Sequence, residues 1–345
     1  MVASRTRDKD EARSKVTAAE IDPSAIEHAV RLIDEVCCFA GSFDLLKDTR
    51  DEELRAAIER RDSAVLFDRL TFSFSFQGIS DEIAANYMRR HGQATWRAVR
   101  KKLSSRPTCP KLKAYWHFHD CRYQKTKRTC AEPDHIAKCP LPTHRLRNGH
   151  LNQLAYSLYL FIRDVADGDL IGWIDDRLEQ ANDPLAPDRL ARACNALIEP
   201  LRNIYGVSDK VLAIGLSGIL IGAANARPRW FEVGVQLIAV DTLVHNFLHR
   251  TGILNRLKAT HPYGVGCYRP GGCAEIIARV ARQIDARAFN PSFPALFPRF
   301  VQLAIWQYCS QQGLDICNGN HIDDRHRCQN SQCRLYRICD RIHLK

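Results

Sequence analysis

The feature that most restricts this chain is its ending, Cys317-x10-Cys328-x4-Cys333-x5-Cys339, set in text with little apolar content of its own. Such a stretch buries too little apolar surface to offset the entropy of ordering it, so it must fold around something else. The chain has fourteen cysteines and opens without the apolar centre of a signal peptide, which argues for metal rather than disulfides. Four thiolates in one loop can wrap a [4Fe–4S] cube or a single zinc. Zinc sites usually pair their cysteines as C-x2-4-C, and only Cys328 and Cys333 come near that spacing.

Upstream of this loop, apolar residues recur with a period near 3.6 and no alternating strand pattern stands out, so the expected class is all-α. The periodicity predicts helices over 24–39, 50–60, 63–74, 80–91, 94–103, 151–166, 170–181, 188–203, 208–224, 242–251, 274–286 and 294–312. Residues 1–23, rich in charge and serine, read as a disordered tail. Cys37, Cys38 and Cys194 lie in apolar-periodic stretches and read as core. The longest uncharged apolar run, 211–226, is short for a bilayer crossing, so a cytoplasmic protein without membrane association, acting as a monomer, is expected.

The net charge of +11 is concentrated. Residues 89–148 carry sixteen Lys/Arg against three acids, which leaves the remainder slightly acidic and suggests a surface for a polyanion. The irregular segment 104–149 within this block is also rich in Cys and His. Its run Cys130-x4-His135-x3-Cys139-x4-His144, with Cys121 as an alternative ligand, has spacings that can close on zinc. Trp116, Phe118 and Tyr123 among the lysines suit stacking on exposed bases.

Two further places carry chemistry. Tyr205-Gly206-Val207-Ser208-Asp209-Lys210 separates two apolar helices; Gly206 can take the positive φ that ends one, and Ser208 or Asp209 can cap the next. Backbone amides at such a turn bind a phosphate without reading sequence. Ile238-Ala239-Val240-Asp241-Thr242 then places a carboxylate where another helix begins, as a cap and as a group able to stabilise developing positive charge.

Taken in order, the hairpin, the Asp241 segment and the cysteine loop resemble the endonuclease III branch of the helix-hairpin-helix DNA glycosylases. The resemblance spans roughly residues 66–345 with 104–149 as an insertion. Tyr205 stands at the family's proline and Ser208 at its second glycine, and the first two cysteine intervals are longer than the family's. It implies a two-lobed all-α architecture. A helical bundle over 66–230 would carry the hairpin, and 231–345 would carry the catalytic-aspartate helix and the iron–sulfur loop, joined by helices from 24–65.

It further implies excision of a damaged or modified base from double-stranded, nucleoid-associated DNA, with the target nucleotide flipped out of the stack. Asp241 would be the catalytic carboxylate and Lys210 the Schiff-base nucleophile of an AP-lyase step. Gly206, Val207 and Ser208 would hold a phosphate, Gln77 would reach into the DNA, and Arg325 and Arg327 would touch its backbone. Cys317, Cys328, Cys333 and Cys339 would ligate a [4Fe–4S] cluster, with zinc in the insertion as a second cofactor. A second registration of the hairpin, at 216–220, supplies no lysine and leaves a monofunctional enzyme. The alternatives are a non-catalytic DNA-binding protein on the same scaffold and, for the substrate, hypermodified bases of phage DNA removed in defence.

Overall fold

The computed structural model describes residues 22–42, 44–105 and 108–345, so the tail expected over 1–23 lies almost wholly outside the described residues. In chain order the helices are α1 (Pro23–Cys37), α2 (Glu52–Glu59), α3 (Ser63–Phe74), α4 (Asp81–His91), α5 (Trp96–Ser105) and α6 (Pro133–Ile136). There follow α7 (Asn152–Asp164), α8 (Leu170–Gln180), α9 (Arg189–Leu201), α10 (Asp209–Gly222) and α11 (Pro228–Gly234). The last are α12 (Thr242–Arg250), α13 (Ile253–Arg256), α14 (Cys273–Ala281) and α15 (Pro298–Cys309). One antiparallel ladder, β1 (Tyr123–Gln124) with β2 (Thr129–Cys130), pairs Tyr123 with Cys130 and Gln124 with Thr129. The chain is therefore helix-rich, as its periodicity predicts, and no helix among the described residues is long and apolar enough to cross a membrane.

Local chemistry accounts for where the helices start. Asp22, Asp51, Asp62 and Asp169 each accept a backbone N–H of the first turn of α1, α2, α3 and α8, satisfying donors that have no partner inside the helix. Arg227 stands at the start of α11. Pro228 takes the first helical position, where a missing N–H costs nothing.

The chain divides into two compact units: 1–39, 242–284 and 304–345 in one, 40–241 and 285–303 in the other. Of the residues 24–65 grouped in the sequence reading with the C-terminal lobe, only those through Phe39 belong to the smaller unit; α2 and α3 belong to the larger. In the larger unit α7 is buried from Asn152 through Ile162 and packs on α3 and α5, while α10 packs on α3 and α11. Phe67, Trp96 and Tyr159 stack at the first junction with centroids 4.4–6.4 Å apart. Trp230, fully buried, donates its indole N–H to Asp175 at 2.7 Å and so fixes α11.

In the smaller unit α1 packs on α13 and α14. The C-terminal segment runs beside the end of α12, with the Asp340 and Ile342 amides donating to the Thr251 and Arg250 carbonyls at 3.3 and 2.8 Å. Cys37 is buried, as expected of a core thiol, whereas Cys38 is exposed and Cys194 half-buried.

Candidate metal centres and hairpin

The tightest convergence of metal-ligating groups among the described residues is one the sequence reading missed. His245, His261, Cys267 and Cys273, all in the smaller unit, place their ligand atoms within 4.8 Å of one another. His245 Nδ1 stands 3.4 Å from Cys273 Sγ and 3.5 Å from Cys267 Sγ, and His261 Nε2 stands 3.4 Å from Cys273 Sγ. Bonds of ~2.3 Å to sulfur and ~2.05 Å to nitrogen in a tetrahedron separate S from N by ~3.5 Å, so the spacing matches one four-coordinate ion.

Each ligand is held from behind. His245 projects from α12, while His261 is oriented by the Ala259 carbonyl 2.6 Å from its Nδ1, which turns Nε2 to the centre. The glycines around the two cysteines bring their turns into contact. A Cβ on Gly272 would stand 2.3 Å from the Gly266 carbonyl oxygen, so only glycine lets the segments pass. Both thiols and His245 are buried. The Cys273 S–H donates to Cys267, which draws the Cys267 thiol far below its ordinary value and drives Cys273 up. A group with one thiol already biased toward thiolate, facing two imidazoles in a buried site, can hold a metal ion.

The four C-terminal cysteines also come together. Cys317, Cys328, Cys333 and Cys339 line one small pocket, whose walls include Ile316, Ile322 and Leu335. Donors aim at the sulfurs: the Tyr308 hydroxyl at Cys333 (3.1 Å), the Arg341 amide at Cys339 (3.3 Å) and the Arg250 guanidinium at Cys317 (3.9 Å). Desolvation pushes the Cys339 thiol up to about 12, and the other three thiols add to it by charge repulsion. The Cys317 thiol is drawn down to about 7, first by a hydrogen bond from Cys309 and, against desolvation, by Arg250. An all-sulfur set around a mostly apolar pocket, with N–H and O–H donors on the sulfurs, has the chemistry to hold a metal centre.

In the larger unit, α9 and α10 form the hairpin. Gly206 has φ +76° and Ser208 stands at the cap of α10. The rival turn at 216–220 lies inside α10. Lys210 is half-buried in the first turn of α10 and makes no ion pair among the described residues, while its neighbour Asp209 binds Arg202 at 2.6 Å. Gln77 lies against the hairpin. Its Nε2 donates to the Gly206 carbonyl at 2.6 Å, and its Oε1 accepts the Ser208 amide at 3.2 Å. Val207 donates its amide to the Ile204 carbonyl. The Val207 and Ser208 amides are thus engaged inside the hairpin, and the outward donors are those of the first turn of α10. Gln77→Ala is expected to cost ~1 kcal/mol and to speed hydrogen exchange at the Ser208 amide. Unchanged exchange there would show that the clasp is not made in solution.

Asp241, 9% exposed, follows the buried run 237–240 and directly precedes α12. Arg325 is exposed and paired with Asp323 at 2.8 Å, and Arg327 is exposed. In the insertion, the thiols that interact with one another are Cys109, Cys121, Cys130 and Cys139. His135 instead meets Glu132 at 2.5 Å, and His144 lies against the Tyr156 ring, held neutral by burial with its pKa near 4. Comparison of the chain with protein-family models, with curated proteins and with solved structures finds no match in any of the three.

Proposed function

We propose that the chain is a helix-hairpin-helix DNA glycosylase that removes a damaged or modified base, with metal centres as its structural staples. The observation that carries this reading is Asp241, a carboxylate buried directly before α12. Burying a carboxylate is costly, and such groups are retained where a fixed negative charge does chemistry. In the proposed reaction the bond from C1′ to the base nitrogen lengthens and positive charge builds on the sugar. Asp241 stabilises that charge and takes a proton from the attacking water. The C1′–O bond replaces the C1′–N bond, and the base leaves with a proton.

The α9–α10 hairpin supplies the sequence-independent phosphate contact, through the first-turn amides of α10. Lys210 on that turn is the amine that can displace the base directly and form a Schiff base with the opened sugar. The His245 group is assigned zinc, since two imidazoles and two thiolates at this spacing form a closed structural site. The C-terminal cysteines are assigned a [4Fe–4S] cluster, held by Cys317, Cys328, Cys333 and Cys339 as a fold element and not as a reactant.

The test is excision by the full chain on duplexes carrying oxidised, alkylated, deaminated, mismatched or bulky modified bases. Strand scission at one lesion class after alkali treatment is expected. Normal DNA binding without excision on the whole panel would favour a non-catalytic DNA-binding protein, a reading to which the engagement of Gln77 within the hairpin lends support. For Lys210, borohydride reduction during turnover should trap a covalent DNA adduct that Lys210→Ala loses. Excision without any trapped adduct would leave Asp241 and water as the whole mechanism.

A further inference from the structure

The smaller unit carries a pocket in which arginines outnumber their partners. His28 and Arg31 of α1, Arg256 of α13, and Arg327, Arg337 and Arg341 of the C-terminal segment line it, with Asp340 as its one carboxylate. Three stretches far apart in sequence thus bring five guanidiniums to one concave surface. His28 and Arg31 stand one helical turn apart and share a face of α1, which packs on α13.

The carboxylate is already committed. Asp340 accepts Nε and Nη2 of Arg256 at 2.8 and 2.6 Å, a two-bond pair that uses both of its oxygens. It also lies directly over Gly252, between α12 and α13, where a Cβ would overlap its Oδ2. Arg31, Arg327, Arg337 and Arg341 make no ion pair among the described residues. Elsewhere Arg61, Arg189 and Arg229 each face a carboxylate. Four unpaired guanidiniums on one concave wall focus a positive potential that solvent screens only in part.

Two of the lining side chains also lack partners they would need in an empty pocket. Arg341 has φ +57°, the left-handed region that disfavours a side chain, and its guanidinium lies 4.2 Å from the centroid of the Tyr336 ring. Its Nε is buried with no acceptor, and the Nε2 of His28 is likewise buried with no hydrogen-bond partner. Buried polar atoms are nearly always paired, so two orphans on residues of one pocket point to a ligand rich in acceptor oxygens.

Charge selects that ligand. A guanidinium fork suits two-point contact with phosphate oxygens. A phosphate monoester carries about −1.5 to −2 charges, so two linked phosphates come close to balancing four guanidiniums in a small space. A nucleic-acid backbone, with one charge per phosphodiester along the strand, would need four phosphates there. We infer that this pocket binds a di- or triphosphate group, as a nucleoside polyphosphate or an inorganic polyphosphate presents it. The site belongs to the smaller unit, whereas Asp241 and the α9–α10 hairpin belong to the larger.

The test is calorimetric titration of the full chain with sodium tripolyphosphate and, separately, with ATP. Wild type should bind one tripolyphosphate at this pocket. Arg31→Gln combined with Arg337→Gln should weaken it at least ~10-fold. Lys125→Gln combined with Lys127→Gln, which removes the same charge from the larger unit, should change it by less than about twofold. ATP bound more tightly than tripolyphosphate would identify a nucleotide as the ligand and ATP bound more weakly an inorganic polyphosphate; either upholds the site. Equal losses in the two variants would overturn it, because binding would then follow net charge alone. So would wild type that binds a short DNA duplex through these arginines and does not bind tripolyphosphate. If the arginine variant does not fold, phenylglyoxal footprinting of wild type decides. Tripolyphosphate should protect Arg31 and Arg337 from modification, and unchanged labelling of both would remove the site.

Discussion

Cys267→Ser is expected to release about one zinc per chain and to abolish cooperative melting of the smaller unit. The effect is large because the ligands come from α12, a His-Pro turn and two glycine-rich turns that have few other reasons to meet. Metal-binding free energy at such sites is folding free energy, of the order of 10–16 kcal/mol for structural zinc in small domains. A serine oxygen in place of the thiolate forfeits much of it and leaves Cys273 and two imidazoles buried without their common partner. Elemental analysis and differential scanning calorimetry of the purified chain check this. Zinc content and melting equal to wild type would remove the centre.

The second large effect is catalytic. Asp241→Asn should lower base excision by about 10²–10⁴-fold, the usual range for a lost acid–base or charge-stabilising group, with DNA affinity unchanged within a few-fold. The amide keeps the shape and one oxygen acceptor of the carboxylate, so the melting temperature should hold. Single-turnover kinetics and binding measured side by side separate the roles. Loss of binding and melting together with activity would make Asp241 structural, and undiminished excision would exclude it from the chemistry.

Much of the helical scaffold was legible because local rules agree with it. The period near 3.6 locates α3, α7 and α9 within a residue or two, and Gly206 marks the turn between α9 and α10 through its positive φ. The four C-terminal cysteines were legible as a group because they are close in sequence and alone in a weakly apolar stretch. The His245 centre was not, for a physical reason. Its first interval is fifteen residues, and His245 sits on a helix whose apolar periodicity makes it resemble any half-buried helical histidine. Cys267-x5-Cys273 among glycines and prolines was the available clue.

The packing of α1 bears on how the chain is made. Its buried face, Ala25, Ala29, Leu32, Ile33 and Val36, is covered by α13 and α14, which lie far downstream in the sequence. At ~5–20 residues per second, the ~200 intervening residues take roughly 10–40 s to emerge from a ribosome. For that interval α1 is an apolar helix without its partners, while the larger unit, most of which is contiguous in sequence, can already close. The order of synthesis therefore favours a larger unit that folds first and a smaller unit that waits for its last segments.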